Sequence, residues 1–313
     1  MTRRLKPDTC SPTRRKYRWN DTPSCYSEKD LAKAAELWDN GHAQKVGSRD
    51  PATVWKYLAD HIPDCDRESC WASKLSMPTG MFAPTMPASW KKNKNEWLSS
   101  VEIKKLMKLY EADFPNFAFL GPSPSNFFFK NRNEQPCVWP ELCQFDLHDY
   151  VRRGKTRIGV IFNLDPHNKP GSHWVSMFIN TDTKRIYYFD STGETIPKNI
   201  AKFKDKVMRQ SNNTYVYEEN HPVEHQFGDT ECGMYALFFI STMLRHDAPE
   251  TAGEKEKHAA LVTQIKTTLQ KGGRRRSRKQ SGGSLFQNLF KNKDTQFADK
   301  LMENLRGHYF NQT

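Results

Sequence analysis

One cysteine, Cys232, stands at the head of an unbroken apolar run, Met234 to Leu244, with Gly233 beside it and Gln226 six residues upstream. A thiol attacks a carbonyl only as its thiolate, and an ordinary cysteine, with a pKa near ~8.5, is mostly protonated at neutral pH. A helix N-terminus and a neighbouring imidazolium both favour the thiolate. An apolar helix starting at Cys232 supplies the first. His173 is the candidate for the second, because it lies in a strand-like run where neighbouring side chains fix its direction, with Gly171-Ser172 giving access on one side. Asp190 closes the next run, Ile186 to Phe189, so antiparallel pairing of the two runs carries it to the imidazole. There it accepts the second ring N–H and fixes tautomer and orientation. Gln226 offers a side-chain N–H, together with the backbone N–H of Cys232, to the oxygen of a tetrahedral intermediate. Gly233, without a Cβ, lets a substrate backbone come close.

Each of these residues also has a purely structural reading. A buried cysteine often acts as a small hydrophobe, His173 as a core histidine, and Asp190 as a turn former before Ser191-Thr192-Gly193. The conjunction of four residue types in compatible contexts favours chemistry. His167, His221 and His225 are rival bases, yet they fall in loops with no orienting neighbour. Asp229 is a rival to Gln226, but its charge would oppose the developing oxyanion. Cys65-x4-Cys70 and Cys137-x5-Cys143 lack the short spacing of structural zinc pairs, and His61 and His148 complete no pattern. They read as packing thiols, and neither metal nor other cofactor is expected.

The elements that must position these residues can be read in turn. Residues 1–24 are basic and without periodicity, which predicts a mobile arm. Ser27 with Asp30 marks a helix start ahead of Leu31, Ala34, Ala35 and Trp38. Asp50-Pro51 marks another ahead of Val54, Trp55, Leu58 and Ile62. Residues 25–86 therefore read as a helical accessory region. Three prolines and a glycine from Met77 to Pro87 suggest a boundary, with the main domain, 87–313, opening near Trp90. Ser99 and Glu102 form a capping-box pattern before Ile103, Leu106, Met107 and Tyr110. Short apolar runs from Ile158, Trp174, Ile186 and Tyr215 predict central strands. Leu261 to Leu269 predicts a further helix, and the Gly-flanked basic stretch within 271–284 an exposed loop.

The net charge of +12 is concentrated at two places: residues 1–20 hold seven Lys and Arg against Asp8, and residues 270–284 hold six with no acid. Such segments suit an anionic partner or simply solvation. Arg274, Arg275, Arg276, Arg278 and Lys279 are the candidate nucleic-acid contacts. Seven cysteines with no secretory signal or long apolar span predict a soluble, non-secreted protein with free thiols in a reducing compartment, without membrane contact.

Gly171-Ser172-His173-Trp174, Tyr187-Tyr188-Phe189-Asp190-Ser191 and Gln226-x5-Cys232-Gly233 resemble the superfamily of SUMO-specific proteases and the adenovirus protease. Trp97-Leu98 resembles its Trp-Leu-Asn-Asp element, with Ser99-Ser100 replacing the polar pair. Ser24 to Ser27, Pro87 to Tyr110, Phe117 to Pro122 and Asp299 to Phe310 resemble the version found in large cytoplasmic DNA viruses, so the likeness covers most of 24–310. The basic loop looks like an addition. The resemblance implies a papain-like, adenain-like α+β fold in permuted order and cleavage after small residues, commonly glycine pairs. Trp97 and Trp174 would then wall a tunnel that only side-chain-free backbone can thread; ordinary core packing is the alternative for both.

The expected function is that of a viral thiol endopeptidase cutting structural precursors at glycine-containing sites during virion maturation, in the particle or the host cytoplasm. Two alternatives stand beside it. One is an isopeptidase removing SUMO- or ubiquitin-like modifiers; the other is a nucleic-acid-associated scaffold with a vestigial site. Gly273-Arg274 and Gly283-Ser284 are either flexible-linker glycines or self-cleavage sites.

Overall fold

The computed structural model describes residues 5–130, 137–246, 284–293, 297 and 299–311. The chain divides into two compact units, Met1–Asn93 with Leu305–Thr313, and Lys94–Asn304. The expected helix at 261–269 and the basic segment carrying Arg274 to Lys279 lie outside the described residues.

The first unit opens with the hairpin β1 (Tyr17–Trp19) and β2 (Thr22–Ser24), joined by Asn20 and Asp21, whose φ values of 47° and 61° suit a tight two-residue turn. Three helices follow, α1 (Glu28–Gly41), α2 (Pro51–His61) and α3 (Glu68–Lys74). The first starts at the Ser27–Asp30 capping box and the second at the Asp50 cap before Pro51, both as read from the sequence. Leu31, Ala34, Val54, Trp55 and Leu58 pack with Tyr26 and Trp71 into one core. Inside it the buried Glu68 carboxylate accepts from Cys25 N (2.9 Å) and Trp55 Nε1 (2.5 Å), tying α3 to β2 and α2.

Three expectations change here. Residues 5–24 are not a mobile arm: Leu5 is buried, Cys10 is bonded to Cys25, and Asp8 accepts from Ser69 N and Asn311 Nδ2. Trp90 does not open the main domain but packs in the first unit, edge-on to Phe310 at 5.2 Å with the Arg306 guanidinium 4.7 Å from its ring. The thiols are not free. Cys10–Cys25, Cys65–Cys70 and Cys137–Cys143 are disulfides, with Cα atoms 5.1, 5.4 and 6.6 Å apart, all within bridging reach. The reading of Cys65, Cys70, Cys137 and Cys143 as packing thiols falls, and with it the argument for a reducing compartment.

The second unit is built on a mixed sheet of order β3-β5-β6-β7-β8, with β4 also beside β5. Its strands are β3 (Phe117–Phe119), β4 (Ser123–Pro124), β5 (Arg157–Asn163), β6 (Trp174–Asn180), β7 (Arg185–Phe189) and β8 (Val216–Glu219). β5, β6 and β7 run antiparallel in succession; β3 and β8 are parallel to their neighbours. Its helices are α4 (Ser100–Asp113), α5 (Pro140–Cys143), α6 (Leu147–Arg152), α7 (Lys198–Gln210), α8 (Cys232–His246), α9 (Leu285–Leu289) and α10 (Asp299–Tyr309), the last of which ends in the first unit. Ile200, Phe203 and Val207 of α7 cover one face of the sheet, over Val160, Phe162, Met177 and Tyr188. The apolar α8 packs against β5 and β6. Gly159 permits that approach, since a Cβ there would lie 3.0 Å from Phe117 and 3.1 Å from Ile240. The architecture is thus α+β, with a central mixed sheet and the cysteine at a helix N-terminus. None of the described helices is long and apolar enough to cross a membrane.

Candidate active site

The register of β6 against β7 pairs Ser176 with Phe189, so His173, just before β6, and Asp190, just after β7, meet at one end of the hairpin. His173 Nε2 donates to Asp190 Oδ1 at 2.7 Å. That leaves Nδ1 for the thiol, and His173 is hydrogen-bonded to Cys232 in the first turn of α8. Asp190, 1% exposed, is held in turn: its N–H donates to Asn220 Oδ1 (2.9 Å), its carbonyl accepts from Asn220 Nδ2 (2.7 Å), and Oδ1 also accepts from Thr192 N and Oγ1. Cys232 is the one free cysteine and is 2% exposed. Burial disfavours the charged imidazole, but the hydrogen bonds to Asp190 and Cys232, and the charges of both, outweigh it and raise the His173 pKa to about 10. At neutral pH the imidazole beside Cys232 is therefore protonated.

The rival histidines are engaged elsewhere. His225 is buried, with Nε2 donating to Phe290 O at 2.9 Å, and burial lowers its pKa. His221 Nδ1 donates to Gly193 O at 2.8 Å, and exposed His167 sits against Asn126. Gln226 is fixed from both sides: Ser191 Oγ donates to its Oε1 (2.8 Å) and its Nε2 donates to Gly228 O (2.5 Å). One of its two amide N–H groups is spent on that carbonyl, and one remains.

Trp174 is buried, its Nε1 donating to Leu98 O at 2.9 Å, whereas Trp97 is 43% exposed. Both line a cleft of about 620 Å³ with Pro122, Trp139, Asp165 and Gly171. A Cβ on Gly233 would stand 2.9 Å from Leu98 Cβ and 3.3 Å from Trp174 Cδ1. The glycine is what lets the start of α8 seat against that wall. Asn220, Ser191 and Asp299 hold the site residues in place; the sequence gives Asn220 no mark, and shows Ser191 and Asp299 only as members of longer stretches, with no role of their own.

The His173–Asp190 pair beside Cys232 at a helix start is the geometry of a thiol nucleophile with a base and an orienting carboxylate. Residues 155–271 match the Ulp1 protease family, C-terminal catalytic domain, a stretch that holds His173, Asp190, Gln226 and Cys232. A protein of Acanthamoeba polyphaga mimivirus described as a thiol protease is 35% identical over 153 residues, which is 48% of this chain and 48% of the relative. A cysteine protease of African swine fever virus is 32% identical over 104 residues, 30% of this chain and 36% of the relative. The chain's match thus spans about half the length of the first relative and about a third of the second. The crystal structure of the African swine fever virus protease superposes with a TM-score of 0.53 at 17% identity, covering 99% of this chain and 97% of that one, a likeness of fold.

Proposed function

We propose that this chain is a thiol endopeptidase that hydrolyses peptide bonds after glycine-containing sites, processing structural precursor proteins as a virus particle matures in the host cytoplasm or the virion. The observation that carries it is the His173–Asp190 bond at 2.7 Å with the same imidazole hydrogen-bonded to Cys232. In this reading the Cys232 thiolate attacks the scissile carbonyl carbon. Gln226 and the Cys232 N–H receive the oxyanion, and the His173 imidazolium protonates the leaving amine. A thioester results, which His173-assisted water hydrolyses to the acid and the free thiol. Trp97 and Trp174 would admit only backbone without side chains next to the cut, which is why glycine is the expected residue there. A peptide library tests this: wild-type protein should cut after Gly-Gly or Gly-small pairs, and Cys232→Ser should lose all cleavage. Cleavage retained by the serine variant would sink the proposal.

A second reading, removal of SUMO- or ubiquitin-like modifiers, is favoured by relatives from African swine fever virus isolates that are named SUMO-1 cysteine proteases. Rapid labelling of Cys232 by a SUMO or ubiquitin vinyl-sulfone probe would support it over precursor processing. Non-specific nucleic-acid contact is a separate proposal, resting on exposed Arg14, Arg15, Lys16 and Arg18 and on Arg274 to Lys279 in the sequence.

A further inference from the structure

Gln226 sits in a loop whose outer side is bare: Phe227, the next residue, is 64% exposed. His225 and Gln226 are buried, with both backbone N–H groups donating to Ser191 O at 2.8 and 2.9 Å, but the exposed stretch that follows, Phe227-Gly228, is held by a carboxylate far along the chain. Asp299 Oδ2 accepts from Gly228 N at 2.7 Å and from Phe227 N at 3.1 Å. Its Oδ1 accepts from the Tyr235 hydroxyl at 2.9 Å, and Tyr235 is fully buried in the first turn of α8, three residues after Cys232. One side chain therefore joins the nucleophile's helix to the loop of the oxyanion donor. Charge-assisted bonds to backbone N–H groups are the strong kind. The Gly228 carbonyl, at the end of that clamp, is the acceptor of Gln226 Nε2. Its position decides where the second amide N–H of Gln226 points. Next to it, His225 seats against the same part of the chain: Phe297 N donates to its Nδ1 at 3.4 Å, and the Phe297 ring stacks on it at 5.0 Å. The family match ends at 271, so Asp299, Phe297 and Phe290 all lie beyond it.

We propose that Asp299 is a positioning residue for the oxyanion donor Gln226, and that Phe290, Phe297 and Asp299 belong functionally to the catalytic domain. The proposal rests on the peptidase reaction described above. The full-length protein should be assayed on the best-cleaved peptide of the library as wild type, Asp299→Ala, Asp299→Asn, Gln226→Ala and the Asp299→Ala/Gln226→Ala double variant. A misplaced oxyanion donor weakens the transition state and not the ground state, so Asp299→Ala should lower kcat about 10–100-fold with KM nearly unchanged. Asp299→Asn, which keeps one carbonyl acceptor, should lose less. In the Gln226→Ala background, Asp299→Ala should add no further loss, because both act through one N–H. Iodoacetamide should alkylate Cys232 at the wild-type rate in each variant. Wild-type kcat in Asp299→Ala, or multiplicative losses in the double variant, would overturn the positioning role while leaving the peptidase reading intact. Undiminished kcat in Gln226→Ala would instead overturn the oxyanion assignment, and this inference with it. If Asp299→Ala does not fold, the same cycle run with Asp299→Asn decides.

Discussion

His173 carries two opposed influences, and their balance sets the pH range of the site. Burial favours the neutral ring, while Asp190 and Cys232 favour the cation and win, so its pKa stands at about 10 against the ordinary 6.5. A histidine pKa raised by folding contributes stability that is complete below the unfolded value and lost as pH climbs through the folded one. In the proposed reaction the imidazolium is also the proton donor to the leaving amine, so the alkaline limb of kcat/KM should lie well above neutrality, toward pH 10. Asp190→Asn should pull that limb to lower pH and reduce kcat by about 10²–10⁴. An alkaline limb unmoved in that variant would show that Asp190 does not set the histidine. At Gly233 the expected effect is steric. Alanine there meets Leu98 Cβ at 2.9 Å, a backbone-proximal atom that cannot swing away, so the variant should unfold at lower denaturant, with a loss of about 1–3 kcal/mol. An unchanged midpoint would show that the Leu98 wall yields. Cys232, His173 and Asp190, which the structure brings together, could be picked out as candidates in the sequence because each lies at the end of an element with its own local signal. Asp299 could not, since its partners Phe227 and Gly228 lie 72 and 71 residues away.

Helices announced by caps appear where the sequence placed them, because a Ser–Asp or Ser–Glu box satisfies its own orphan N–H groups locally. The antiparallel β6–β7 hairpin was legible for a similar reason: only a four-residue turn separates two apolar runs. The two- and three-residue strands β4 and β3 were not, because parallel pairing with β5 is decided by distant chain and not by their own pattern. Cysteine pairing was hidden for the same reason: spacing alone does not tell a packed thiol from a bonded one. The disulfides give a direct test at this scale. Denatured, unreduced protein should take up one iodoacetamide, at Cys232, and seven after reduction. Uptake of seven without reduction would dispose of all three bridges. Of these, Cys10–Cys25 closes a sequence separation of 15, and opening a loop of that size should cost the N-terminal unit about 3 kcal/mol. Cys10→Ser with Cys25→Ser should therefore lower the stability of that unit.

Of the two basic stretches in which the charge of +12 is concentrated, the first is not a loose tail over its described residues 5–20. Arg14, Arg15, Lys16 and Arg18 stand exposed on and beside the β1–β2 hairpin, which the Cys10–Cys25 bridge and the Asp8 hydrogen bonds hold to the first unit. An ordered basic surface presents its charges at fixed spacing and loses little freedom on meeting a polyanion, so its contribution to binding should be electrostatic and separable. Each phosphate neutralised releases condensed counterions, which gives a log–log salt slope of about −0.9 per contact on duplex DNA. If these four side chains take part, replacing them with glutamine should flatten the slope by about 3–4 between 50 and 200 mM salt, read by fluorescence anisotropy of a labelled duplex. Peptide turnover by the same variant should stay at the wild-type value, since none of the four belongs to the unit that holds Cys232. A slope unchanged by the substitutions would remove the hairpin as a nucleic-acid surface and leave its charge to solubility alone.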